Sequence, residues 1–148
     1  GCGREIPTGI SLPQQKLYMA EYSNGSGGQL LAVLKALADV QRLRTLCAIG
    51  NRKLCVCQVV EVLGLAPSTV SKHLSVLRQA GLVECTKEGR WVYYRCASIR
   101  QPSGVSKILM CVKRALGDDP VIRSDAERLR RILKIDPEAL CRKQIRKR

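Results

Sequence analysis

Residues 67–96 carry the strongest constraint on the fold. Pro67 suits the first turn of a helix, Val70, Leu74 and Leu77 recur at helical spacing, and Gly81 supplies a stop. The stretches "LVECT" (82–86) and "WVYYRC" (91–96) then read as two strands around a Lys87-Glu88-Gly89-Arg90 turn, a β-hairpin.

The segments before and after extend this order. Residues 1–28 show no lasting periodicity, end in Gly25-Ser26-Gly27-Gly28, and are expected to be a flexible arm with Met19 as a candidate start. Leu30, Leu34 and Leu37, with Leu31 and Val33, predict a first helix; Val40, Leu43, Leu46 and Cys47 predict a second, closed by Gly50-Asn51. A third helix has Val56, Val59, Val60 and Leu63 as its apolar stripe and Gly64 as its end. After the hairpin, Val105, Ile108, Leu109, Val112 and Leu116 predict an amphipathic helix broken by Asp118-Asp119-Pro120. Ser124-Asp125-Ala126-Glu127 has the Ser-x-x-Glu capping-box pattern, Ile122, Ala126, Leu129 and Leu133 share a face beyond it, and Asp136-Pro137 starts a last short helix that ends in a basic run. Three helices, a fourth, a hairpin and a further helix make a winged helix-turn-helix, mainly α with a small β-hairpin. The expected domain spans 29–118, and 119–148 is expected to be a basic helical tail.

The chain has 148 residues and a net charge of +14, from 26 Lys and Arg against 12 Asp and Glu. That balance favours nucleic acid or another acidic surface as partner. It holds eight cysteines, Cys2, Cys47, Cys55, Cys57, Cys85, Cys96, Cys111 and Cys141. No basic start followed by an apolar run suggests a signal peptide, and no run reaches the ~18 apolar residues of a membrane span. The expectation is a reduced, thiol-rich, cytoplasmic protein with no membrane contact. Nothing resembles a Cys-x-x-Cys redox pair, a phosphate loop or a nucleophile–base pair, so an enzyme is not expected.

Residues 38–96 resemble the ArsR/SmtB family of metal- and metalloid-responsive repressors. The strings that carry the resemblance are "LADVQRLRTL", "LCVC", "STVSKHLSVLRQAGLV" and "KEGRWVYYR". The resemblance implies a homodimer, built on the terminal helices, that binds double-stranded operator DNA with an imperfect inverted repeat.

A reading helix keeps an apolar stripe inside and turns short polar side chains to base edges. Ser68, Thr69, Ser71, Lys72 and His73 are the positions expected to face out, and the resemblance implies that this stretch enters the major groove. For His73 the competing reading is a surface histidine held by a backbone carbonyl. Ala66 stands where a Ser or Asp cap often precedes the proline, at a typical cost of ~1 kcal/mol. Lys87 and Arg90 sit at the wing tip, placed for the DNA backbone or minor groove, unless they only solvate a turn.

Cys55 and Cys57 form a Cys-x-Cys pair one helix earlier. Thiolates select soft ions, and the resemblance implies that this stretch binds trivalent arsenic or antimony, As(III) or Sb(III), as inducer, with no organic cofactor. Cd(II), Pb(II) and organoarsenicals stay open. In a regular helix Cys55 and Cys57 fall roughly 100° to either side of the apolar stripe, so both sulfurs reach one ion only if this turn is not helical. Where the family pattern often has a third cysteine, this chain has Val60. A third thiolate would come from Cys111, Cys47 or Cys141, or the site uses two. The competing readings are two ordinary half-buried cysteines, and a thiol redox switch in which one of the pair finds a distant cysteine.

Overall fold

A computed structural model describes residues 26–97 and 104–147. In chain order the elements are α1 (Ser26–Leu37), α2 (Val40–Ile49), β1 (Lys53–Cys55), α3 (Val56–Leu63), α4 (Pro67–Gln79), β2 (Val83–Glu88), β3 (Trp91–Cys96), α5 (Gly104–Leu116), α6 (Pro120–Ile132) and α7 (Pro137–Arg146). This is the expected mainly α winged helix-turn-helix. Most of the expected arm, 1–25, lies outside the described residues, but Ser26, Gly27 and Gly28 open α1 instead of forming a linker.

The sheet has three antiparallel strands in the order β1-β3-β2. β2 and β3 pair from Val83↔Cys96 to Glu88↔Trp91, so the expected four-residue turn tightens to Gly89-Arg90. Gly89 takes a φ of 61°, which suits the first position of a type II′ hairpin loop. β1 was not expected. Lys53–Cys55 adds to the outer edge of β3, with Cys55 opposite Tyr93, and the third helix starts only at Val56.

Aspartates fix the helix starts. Asp39 Oδ1 accepts from the amides of Gln41 and Arg42 at 2.8 and 3.0 Å, and Asp119 Oδ1 from those of Val121 and Ile122 at 2.9 and 3.2 Å. Each satisfies donors that a helix leaves free at its start. The Asp119-Pro120 pair corrects the capping box expected at Ser124. Asp119 supplies the acceptor and Pro120 the preset φ, so α6 begins there and Ser124 is inside the helix. Asp136 caps α7 in the same way, through the amide of Ala139 at 3.2 Å.

One core holds these elements together: Leu46, Ile49, Leu54, Val59, Val62, Val70, Leu74, Leu77 and Leu82 are fully buried. Leu129 and Ile132 of α6 and Leu140 of α7 join the same cluster. Because α6 and α7 pack on α3, α3 is buried on more sides than its expected stripe, with Gln58 and Val62 also inside. α1 turns its other face inward: Val33 and Ala36 are buried, whereas Leu30 and Leu34 are exposed, as is Met110 of α5. Among the described residues no helix is long and apolar enough to cross a membrane.

Candidate nucleic-acid interface and thiol site

α3, the turn Gly64-Leu65-Ala66 and α4 form the helix-turn-helix. Gly64 closes α3 in the left-handed region, at φ 68° and ψ 26°, and its amide donates to the Val60 carbonyl at 2.9 Å. That geometry favours glycine. α4 then buries Val70, Leu74 and Leu77 and exposes Ser68, Ser71 and Lys72; Thr69 is half-buried. Ala66 makes no side-chain cap, so the first amides of α4 are left for a ligand or solvent.

His73 does not point outward with its neighbours. Its ring is mostly buried, with Nδ1 4.0 Å from Oδ1 of Asp39. The partner is a carboxylate, not the backbone carbonyl weighed from the sequence. Burial works against ionisation of Asp39, but the Arg42 amide, the Arg42 charge and the Gln41 amide outweigh it and hold its carboxyl below the ordinary range. One aspartate thus caps α2 and faces the histidine of α4.

The wing tip is charged, as expected, and it is partnered. Lys87 is exposed. Arg90 lies over the Trp91 ring at 5.3 Å and pairs with Glu138 of α7, Nη2 to Oε2, at 2.7 Å. Arg142 also reaches Glu138, at 2.6 Å. The hydrogen bond from Arg142, then that from Arg90, holds the Glu138 carboxyl below its usual range. A second pair, Lys53 with Glu88 at 2.5 Å, ties β1 to the end of β2.

The two thiols of the Cys-x-Cys stretch straddle a strand-to-helix junction. Cys55 is the last residue of β1, extended at φ −81° and ψ 162°, and is 1% exposed. Its amide donates to Oε1 of Gln58 at 3.0 Å. Cys57 lies in the first turn of α3, half-buried. The pair is therefore not two residues apart on a regular helix. Cys57 forms a disulfide with Cys141 of α7, with Cα atoms 5.6 Å apart and a sequence separation of 84. Gln144, one turn on from Cys141, donates from Nε2 to the Cys57 carbonyl at 2.9 Å. Of the three candidate third thiolates, Cys141 is the one bonded to Cys57.

Cys111 is exposed on α5. Cys47 is half-buried on α2, and burial pushes its thiol pKa up while the nearby Lys113 only partly offsets that. Among the described residues, no three His, Cys, Asp or Glu side chains form a metal-holding group. Thiolates as donors suit a soft ion rather than a hard one with many oxygen ligands.

Sequence reasoning missed three relationships here: Asp39 with His73, Arg90 with Glu138, and β1. The first two join residues whose separation carries no periodic signal.

A helix-turn-helix whose second helix presents hydroxyls and a lysine, beside a charged hairpin, defines the class of winged-helix DNA-binding transcriptional regulators. Residues 39–84 match the family described as "Bacterial regulatory protein, arsR family". The arsenic resistance transcriptional regulator ArsR1 of Pseudomonas putida is 44% identical over 64 residues, which are 43% of this chain and half of that protein. The arsenical resistance operon repressor of Bacillus subtilis is 34% identical over 57% of this chain and 81% of its own length. Among solved structures, a homodimeric winged helix-turn-helix DNA-binding domain from Mycobacterium bovis covers 76% of this chain and 92% of its own at 27% identity, with a TM-score of 0.53. The chain belongs to the ArsR family.

Proposed function

We propose that this chain is a homodimeric repressor that holds an imperfect inverted repeat through α4 and the wing, and releases it when As(III) or Sb(III) binds the thiolates of Cys55 and Cys57. The observation that carries the reading is the position of these thiols. They flank the first residue of α3, and the other end of α3 is joined to α4 by a three-residue turn. An ion drawing the two sulfurs together must move the start of α3, and α4 moves with it. Two copies of α4 that lose their spacing lose their half-sites. Base and phosphate contacts fall to Ser68, Thr69, Ser71, Lys72, Lys87 and Arg90, with His73 holding α4 on Asp39. The exposed Leu30, Leu34 and Met110 supply apolar surface for dimerisation. The names of the P. putida and B. subtilis relatives support arsenic as the signal.

The test is operator release. Fluorescence anisotropy of a labelled inverted-repeat promoter fragment is followed while As(III) is titrated under reducing conditions, with Cys55→Ser and Cys57→Ser beside the parent. Release by the parent alone supports the reading; tight binding that ignores As(III) in all three rejects it.

A second reading, a thiol redox switch, is favoured by the Cys57–Cys141 disulfide. Two thiols would give two protons and two electrons to a peroxide, which leaves as two waters or as an alcohol and a water. Operator release by peroxide, reversed by a thiol reductant and absent in Cys141→Ser, would select it.

A further inference from the structure

We propose that α7 is a third DNA-contacting element, in which Arg142, Arg146 and Lys147 hold the phosphate backbone beside the reading helix and the wing. This rests on the operator-binding reading and enlarges its surface.

What α7 buries sets how it is turned. Leu140 is fully buried, Cys141 is bonded to Cys57, and Gln144 donates to the Cys57 carbonyl at 2.9 Å. At 3.6 residues per turn these three take one side of the helix. Arg142 with Arg146, and Lys143 with its C-cap neighbour Lys147, fall in two adjacent i, i+4 rows on the other side. All four are exposed, and the same helix carries one carboxylate, Glu138.

The basic stripe runs between two elements already assigned to DNA. At one end, Glu138 accepts from Arg90 of the wing tip at 2.7 Å and from Arg142 at 2.6 Å. Two guanidiniums share one carboxylate, which leaves a net positive charge and holds Arg142 alongside the wing. At the other end, Gln144 and Lys147 line a groove with Gly64, Leu65, Ala66 and Pro67, the turn of the helix-turn-helix and the first residue of α4. The stripe thus joins the wing tip to the start of the reading helix.

Charge selects the partner. Lys143 pairs with Glu61 at 3.3 Å, whereas Arg146 carries no ion pair among the described residues. Like charges at i, i+4 destabilise a helix, and a duplex backbone relieves both rows at once. Phosphates recur about every 3.4 Å of axis along each strand, so a helix about 15 Å long spans several of them.

The full-length chain is compared with Arg142→Gln/Arg146→Gln/Lys147→Gln, which leaves Leu140, Cys141, Lys143 and Gln144 in place. Anisotropy follows an operator fragment and a scrambled duplex of equal length from low to physiological salt. The slope of log affinity against log salt should fall by about 1 for each lost contact, about 3 in all. The fall should be the same on both duplexes, since phosphates carry no sequence. An equal charge change on α6, Arg123→Gln/Arg130→Gln/Arg131→Gln, should leave the slope close to the parent's. In the parent, acetylation mapped by mass spectrometry should slow several-fold at Lys147 when duplex is bound and stay unchanged at Lys107 of α5. An α7 variant with the parent's slope, or a Lys147 acetylated as fast with duplex as without, overturns the inference. Tighter binding by that variant also overturns it, because α7 would then be covering the interface, and an equal fall in the α6 variant reduces the effect to total charge. A parent that does not distinguish the operator from the scrambled duplex rejects the operator reading itself.

Discussion

Arg44 of α2 and Asp125 of α6 form a bidentate pair, Nε to Oδ2 at 2.7 Å and Nη2 to Oδ1 at 2.8 Å, across 81 residues of sequence. Both side chains are largely buried, and Gln41 Oε1 takes a further Arg44 N–H at 2.8 Å. Paired charges of this geometry hold position well but are not cheap to desolvate. Removing one partner leaves the other charge buried without compensation. Asp125→Ala should therefore lower stability by about 3 kcal/mol, read as a fall in the urea midpoint. Replacing both Arg44 and Asp125 with methionine should cost less than that single change. A single variant no less stable than the double would show that the pair contributes nothing to holding α6 on α2.

Asp39 joins stability to DNA reading, because it caps α2 and faces His73 of α4. Asp39→Ala should cost about 1–2 kcal/mol as a lost cap and also weaken operator binding, whereas Asp39→Asn should keep most of the cap. The pH dependence has a definite sign. The folded carboxyl lies below its ordinary range, so its contribution is present above the unfolded pKa and is lost as pH falls through the folded one. Stability measured against pH should fall at the acid end in the parent, and the fall should be shallower in Asp39→Asn.

The DNA-reading half was legible because its signals are local. Pro67, the Val70-Leu74-Leu77 stripe, and the alternation of 91–96 each fix structure within a few residues. β1 was not legible, since Lys-Leu-Cys is too short to show alternation and becomes a strand only by pairing with Arg95, Tyr94 and Tyr93 some forty residues on. The start of α6 was misread because two capping signals compete in 118–127. Asp119-Pro120 won because the proline fixes the backbone as well as the acceptor. The outward Leu30 and Leu34 show the limit of an apolar stripe, which says that a face is covered but not by what. Cys141 was readable only as a candidate, because its nearness to Cys57 comes from α6 and α7 folding back on α3, and no spacing encodes that.

Lys72 and Arg90 should separate in their salt response. Lys72 is exposed and carries no ion pair among the described residues, whereas Arg90 is held on Glu138. If both meet phosphate, Lys72→Ala should reduce the slope of log affinity against log salt by about 1. Arg90→Ala should change it less, because part of that charge is already cancelled within the protein. Glu138→Gln should steepen the slope. Operator anisotropy from low to physiological salt reads all three, and equal slopes for parent and Lys72→Ala would remove Lys72 from the phosphate contacts.

Leu140 decides whether α7 comes away alone or only with the core. A buried Leu→Ala change costs about 2–5 kcal/mol, and Leu140 is the buried side chain of α7, whose other non-covalent holds are polar contacts of Glu138, Lys143 and Gln144 that lend low local stability. α7 should then undock while the rest of the core, built on Leu46, Ile49, Val59, Leu74 and Leu77, stays folded. In the reduced protein, Leu140→Ala should speed alkylation of Cys141 several-fold and leave that of Cys55 unchanged, with only a small shift in Tm. Alkylation mapped by mass spectrometry beside a thermal melt distinguishes the cases. A large fall in Tm with no change at Cys141 would mean that α7 is bound into the cooperative unit and does not open separately.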